Sequence, residues 1–273
     1  MGAPAQLDGF TLLDRPPGAD WPWPVYRRGD GPPVLVLHEL FGVTRVLLEF
    51  ARLVADAGFS VWLPALAGPV PASSGLDKAR TVLNICLSRE VNVLVGGRTS
   101  RIVEPLRALG RHAATSSGAS GVGVIGMCFS GGFALALAAD EHVLAAVSAE
   151  PALPVATPVT PWCARDLGMS TADIAEVRRR LGAGDVEVLV TRFSADRKSP
   201  ATRLDTIRQK FGPEGLTVDE LPSGPGNEFR FDPGEHSVLT GGPMHYRCES
   251  PAGERLLETE ERVFAFLRRR LAA

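Results

Sequence analysis

In Val122-Gly123-Val124-Ile125-Gly126-Met127-Cys128-Phe129-Ser130-Gly131-Gly132-Phe133-Ala134-Leu135-Ala136-Leu137 a short apolar run passes straight into a helix-like run with no linker between them. A strand that becomes a helix at once must fold back sharply. Small residues two places either side of the tip permit this, and the side chain at the tip is lifted clear. Here Gly126 and Ser130 flank Cys128, so the lifted group is a thiol, a competent nucleophile. Ser130 is a rival, because Cys128-Phe129-Ser130-Gly131-Gly132 also has the small-x-Ser-x-Gly form. A strand ending at Met127 puts the tip at Cys128 and leaves Ser130 in the first helical turn.

Outward from this turn, short apolar runs at 34–38, 60–64, 144–149 and 186–193 alternate with stretches of helical period. That alternation predicts an α/β fold, a mainly parallel central sheet with helices on both faces. Val46, Leu47, Phe50, Val54 and Ala57 predict a helix that Gly58 ends. Further helices are expected over 97–113, over 199–211 with Ser199-Pro200 as cap and first position, and over 254–271. The proline-rich 151–168 and the Pro/Gly-containing 222–235 read as loops on the catalytic side or as plain connections. Residues 1–32, with Trp21 and Trp23, read as an extended or hairpin-like lead-in to a core over about 33–271, the whole 273 residues forming a single domain.

With 45% hydrophobic residues, 22% charged and a net charge of -2, the chain can bury a large core and has no bulk charge that would draw it to nucleic acid or an anionic membrane. The four cysteines show no CxxC pairing and read as thiols, and with five histidines they form no zinc spacing. No Gly-Lys-Ser/Thr phosphate loop is present, so neither metal nor cofactor is expected. Without a targeting segment or an apolar run of about 18 residues, the expected location is cytoplasmic. A monomer and a small homo-oligomer fit equally well.

A nucleophilic thiol needs a base, an acid to orient that base, and donors for an oxyanion. Asp196 follows the apolar run ending at Phe193, and His236 lies later, in Gly234-Glu235-His236-Ser237. The order Cys128, Asp196, His236 suits a strand-turn-helix nucleophile. Asp205 is a competing acid. His112 and His142 fall on expected helix or helix-end surfaces, and His245 lies beyond the expected loop.

His38-Glu39-Leu40-Phe41-Gly42 after the first main strand, together with Gly126-Met127-Cys128-Phe129-Ser130-Gly131-Gly132, Asp196 and His236-Ser237, resembles the dienelactone hydrolase family of the α/β-hydrolase fold over about residues 30–270. The resemblance implies hydrolysis of a small ester or lactone through a Cys128–His236–Asp196 triad, with no cofactor. It further implies that Glu39 meets the thiol and helps to form the thiolate once substrate is bound, and that the backbone N–H groups of Leu40 and Phe129 form the oxyanion hole. His38 lines the pocket or satisfies its nitrogens on the backbone. The family's substrate arginine, four residues after the histidine, is Thr240 here; Arg89 and Arg98 are the candidate replacements, and Ser237 is a further candidate substrate contact. The alternatives are a serine-type esterase using Ser130 and a noncatalytic binding or regulatory protein on the same fold.

Overall fold

The structure is a computed structural model that describes residues 6–16, 19–87, 97–242, 246 and 249–272. Its strands are β1 (Thr11–Leu12), β2 (Val25–Arg28), β3 (Pro33–Leu37), β4 (Ser60–Pro64), β5 (Val122–Met127), β6 (Val143–Ala149), β7 (Glu187–Phe193) and β8 (Leu216–Leu221). They form one sheet in the order β1-β2-β4-β3-β5-β6-β7-β8. The lead-in supplies β1 and β2, which pair antiparallel at one edge, and the other strands run parallel. The chain winds outward in opposite directions from β3 and β5. These adjacent strands therefore flank a switch point, and the crevice at their carboxyl ends is where open α/β sheets place ligands.

Strand residues alternate between two cores. Leu35, Leu37 and Val124 pack beneath α3 (Val103–Ser117), α4 (Gly131–Leu137), α5 (Thr171–Ala183) and α6 (Ala201–Phe211). Val34, Val36 and Ile125 face α1 (Arg45–Asp56) and the last helix, α7 (Pro251–Leu271). In α7 the side chains of Val263, Phe264, Phe266 and Leu267 are buried. Each contributes about 1.5–3 kcal/mol relative to exposure, so docking on the sheet rather than helix propensity holds α7. Among the described residues no helix is long and apolar enough to cross a membrane.

Several boundaries differ from the sequence reading. The helix expected over 97–113 begins at Val103, because Gly97 sits at φ 71° and the Val103 N–H bonds back to the Ser100 carbonyl at 3.0 Å. It runs past the end of its apolar pattern to Gly118, at φ 63°. The helix expected from Ser199 begins at Ala201, with Pro200 extended before it. Ser199 turns its carbonyl to Arg192 Nε at 2.8 Å instead of capping. The last helix starts at Pro251, three residues earlier than expected, because Ser250 Oγ accepts the Gly253 N–H at 3.0 Å. His112 is not a bare surface residue; its ring packs on Trp21 and Trp62, at 5.1 and 5.8 Å between centroids.

Candidate active site

β5 ends at Met127, and Cys128 occupies the left-handed region at φ 54°, followed by one 3-10 turn and α4. A non-glycine residue held there costs on the order of 1–3 kcal/mol and persists only where its surroundings enforce it. Those surroundings are specific. A Cβ on Gly126 would lie 2.3 Å from the Ser130 carbonyl oxygen, and one on Gly131 would lie 2.8 Å from Pro151 Cα. The Ala152 N–H bonds the Cys128 carbonyl at 2.9 Å, and Ser148 Oγ donates to the Gly131 carbonyl at 2.9 Å.

Ser130 completes the brace. Its buried hydroxyl accepts the Met127 N–H at 3.0 Å and turns its proton to the carbonyls of Met127 and Leu37, at 3.0 and 3.3 Å. The hydroxyl is thus engaged with backbone on all sides, whereas Cys128 is only half-buried.

Glu39 and Asp196 follow the carboxyl ends of β3 and β7, the same end of the sheet as Cys128 after β5. Asp196, after β7, accepts His236 Nδ1–H at 2.7 Å on Oδ2 and the Lys198 N–H at 2.8 Å on Oδ1. Burial pushes the Asp196 pKa up, but the hydrogen bond and charge of His236, with the amides of Lys198 and Ser199, outweigh it and hold the carboxyl below its usual range. A proton fixed on Nδ1 leaves Nε2 as the basic nitrogen. That Nε2 is buried and has no hydrogen-bond partner among the described residues. Asp205, the competing acid, lies on α6 and pairs with Arg208 at 3.6 Å.

Glu39 follows β3, half-buried, and its Oε1 accepts the Ser237 hydroxyl at 2.7 Å. The amides of Phe129 and Leu40 face the Cys128 sulfur. Burial first, then the charge of Glu39, push the Cys128 thiol up to about 12 against the pull of those amides. At neutral pH the resting thiol is therefore protonated and lies against the two N–H groups expected to bind an oxyanion. His38 is fully buried, with Nδ1 2.7 Å from the Glu39 carbonyl oxygen and Nε2 without a partner among the described residues, and burial lowers its pKa to about 4, so the ring is neutral.

Of the expected substrate contacts, Ser237 is in the site through Glu39, Arg98 is exposed, and Arg89 lies outside the described residues, as do His245 and Cys248. Thr240 is buried, with Oγ1 lacking a partner among the described residues. Sequence reasoning missed Glu150, at the carboxyl end of β6, which is fully buried with its Oε2 accepting the Val238 N–H at 3.1 Å. The available signal was an acid directly after an apolar strand and before Pro151. Among the described residues no group of three or more His, Cys, Asp or Glu side chains is placed to hold a metal ion.

The model of the dienelactone hydrolase family matches residues 24–164, which include Glu39 and the whole elbow. The chain belongs to the dienelactone hydrolase family. It is therefore a hydrolase of the α/β-hydrolase superfamily. Solved structures with the same fold include a Klebsiella pneumoniae chain named for dienelactone hydrolase, 19% identical, with a TM-score of 0.56, covering 94% of this chain and 97% of that one. A dienelactone hydrolase-like promiscuous phosphotriesterase from metagenomic libraries is also 19% identical, with a TM-score of 0.55, covering 94% of this chain and 98% of that one. Est1E from Butyrivibrio proteoclasticus is 12% identical, with a TM-score of 0.53, covering 97% and 100%. No curated protein matches the chain by sequence.

Proposed function

We propose that this dienelactone hydrolase family member cleaves a small, uncharged carboxylic ester or lactone through a covalent acyl-cysteine, with Cys128 as nucleophile, His236 as base and Asp196 orienting the imidazole. The observation that carries the reading is the strained Cys128 elbow together with a buried Asp196–His236 pair whose Nε2 has no partner among the described residues. Two ties link elbow and pair. Ser237, next to His236, holds Glu39, whose neighbour Leu40 points its N–H at the sulfur. The Glu150 carboxyl is faced by the amides of both Val238 and Cys128.

In this reading the sulfur turns away from the Leu40 and Phe129 amides when substrate binds, and the carbonyl oxygen takes its place. The thiol proton leaves by way of Glu39 and reaches His236 Nε2. Sγ bonds to the carbonyl carbon, the two amides hold the oxyanion, and the C–O bond breaks as Nε2 protonates the leaving oxygen. A water molecule then gives a proton to Nε2 and attacks the thioester. The acid product departs, and the proton returns to sulfur.

The charge that acts on the thiol comes from the Glu39 carboxylate, and Thr240 stands at the position of the family's arginine. A substrate carboxylate would add a further like charge in a partly buried site. Steady-state hydrolysis of p-nitrophenyl acetate, an uncharged lactone, mono-p-nitrophenyl succinate and cis- and trans-dienelactone tests the assignment. The uncharged substrates are expected to exceed the carboxylate-bearing ones by roughly tenfold or more in kcat/KM. Preference for the carboxylates, or no ester or lactone turnover at all, contradicts it.

A further inference from the structure

We propose that Glu150 is a positioning residue of this site, tying the histidine loop to the nucleophile elbow as an uncharged carboxylic acid. Its backbone is fixed at both ends. The Glu150 N–H bonds the Thr191 carbonyl at 2.7 Å, and two residues on, the Ala152 N–H bonds the Cys128 carbonyl at 2.9 Å. Between these bonds Glu150 sits at φ 35°, a left-handed conformation for a residue with a Cβ. The side chain crosses to the other partner, with Oε2 accepting the Val238 N–H two residues after His236, while the Cys128 amide also faces the carboxyl. One carboxyl thus spans the elbow and the loop that carries the base.

Burial argues that this carboxyl has no charge. Glu150 is 0% exposed, and its Oε1 has no hydrogen-bond partner among the described residues. An ionised carboxyl with a bare oxygen in that setting is costly, whereas the acid form needs no counter-ion. The facing groups point the same way: Glu39 after β3, Asp196 after β7 and the Cys128 thiol after β5 are acids, and the His236 imidazole is committed to Asp196. Arg203, the neighbouring guanidinium, bonds the Pro151 carbonyl rather than the carboxyl. Burial first, then the charges of Glu39 and Asp196, raise the Glu150 pKa well above the ordinary range, against the amides of Val238 and Cys128. With Oε2 occupied as an acceptor, the acid proton sits on Oε1. The consequence for catalysis is direct: His236 is held in register with Cys128 without a second anion beside the sulfur as it ionises.

The inference rests on Cys128 and His236 acting as proposed above, so its test includes a readout independent of turnover. A carboxyl whose pKa is raised by folding contributes stability that is whole below its unfolded pKa and is lost as pH rises toward the folded value. Glu150→Gln keeps an acceptor for Val238 and removes that loss. Between about pH 5 and 7 the unfolding constant of the wild type is expected to rise relative to Glu150→Gln by up to about tenfold per pH unit. In the same proteins Glu150→Gln is expected to keep kcat within about threefold, while Glu150→Leu, which leaves the Val238 N–H unpaired, loses roughly 10- to 100-fold in kcat with little change in KM.

A pH-independent stability difference between the wild type and Glu150→Gln overturns the proposal. So does a Gln variant as impaired as the Leu variant, or a Leu variant that turns over like the wild type. If Glu150→Leu does not fold, the stability slope and the kcat of Glu150→Gln still decide. Undiminished turnover by Cys128→Ala in the same assay would instead strike the nucleophile assignment and leave the stability slope standing.

Discussion

Replacing Cys128 with alanine is expected to lower kcat/KM for p-nitrophenyl acetate by at least about 1,000-fold, to the level of general binding and oxyanion stabilisation. The residue sits in a left-handed conformation that the flanking glycines and the Ser130 brace enforce. Alanine meets the same backbone demand as cysteine, so the variant should fold and its loss should be chemical. Ser130→Ala gives the contrasting result. Its hydroxyl bonds the Met127 amide and faces the carbonyls of Met127 and Leu37, so its removal loosens the turn and costs stability, with turnover reduced only moderately. Circular dichroism alongside steady-state rates separates the two effects. Loss of turnover in Ser130→Ala with full retention in Cys128→Ala would reverse the assignment.

Arg203→Met is expected to destabilise the protein by about 3–5 kcal/mol, read from the midpoint of guanidinium unfolding. Arg203 on α6 is 1% exposed and, among the described residues, makes no hydrogen bond to a carboxylate. Its guanidinium instead donates to the carbonyls of Pro151 at 2.8 Å, Cys163 at 2.6 Å and Asp166 at 3.0 Å, and to that of Pro154. Burial lowers its pKa to about 10, which still leaves it charged at neutral pH. Methionine fills the stem of the cavity and removes every donor, so several loop carbonyls lose their partner at once. Lysine should recover only part of the loss, since a point ammonium cannot reproduce the planar fork. Because Pro151 adjoins both Glu150 and the elbow, kcat should fall as well. A change below about 1 kcal/mol would mean that the 151–168 segment holds its shape without the arginine.

That segment illustrates where the sequence was silent. Its four prolines mark an irregular stretch, and the 3-10 turn Pro161–Arg165 interrupts it, but nothing local says that a guanidinium from α6 will organise it. The strands β3 to β7 were legible because they are short apolar runs buried on both faces, and the elbow because a strand-to-helix turn with no linker demands small flanking residues. The strand β8 was not legible. Its Leu-Thr-Val-Asp-Glu-Leu pattern is half polar, and Asp219 is buried only because Arg255, Thr259 and Arg262 of α7 meet it. Helix ends failed for local reasons, with Ser100, Ser199 and Ser250 each spending hydrogen bonds in ways that apolar period does not encode. In the site, Glu39 and Asp196 drew notice as acids after apolar strands; Glu150 follows one too, but its meaning depends on burial and on neighbours distant in the chain.

In the proposed reaction the acyl group passes through Cys128. Rapid acid quench of the enzyme turning over p-nitrophenyl acetate, followed by peptide mass spectrometry, tests it most directly. An added acetyl group is expected on the peptide carrying Cys128, labile to hydroxylamine as a thioester, with a longer-lived adduct in His236→Ala because the base for deacylation is gone. Acetyl found on Ser130, or steady turnover with no acyl-enzyme in either protein, would contradict it.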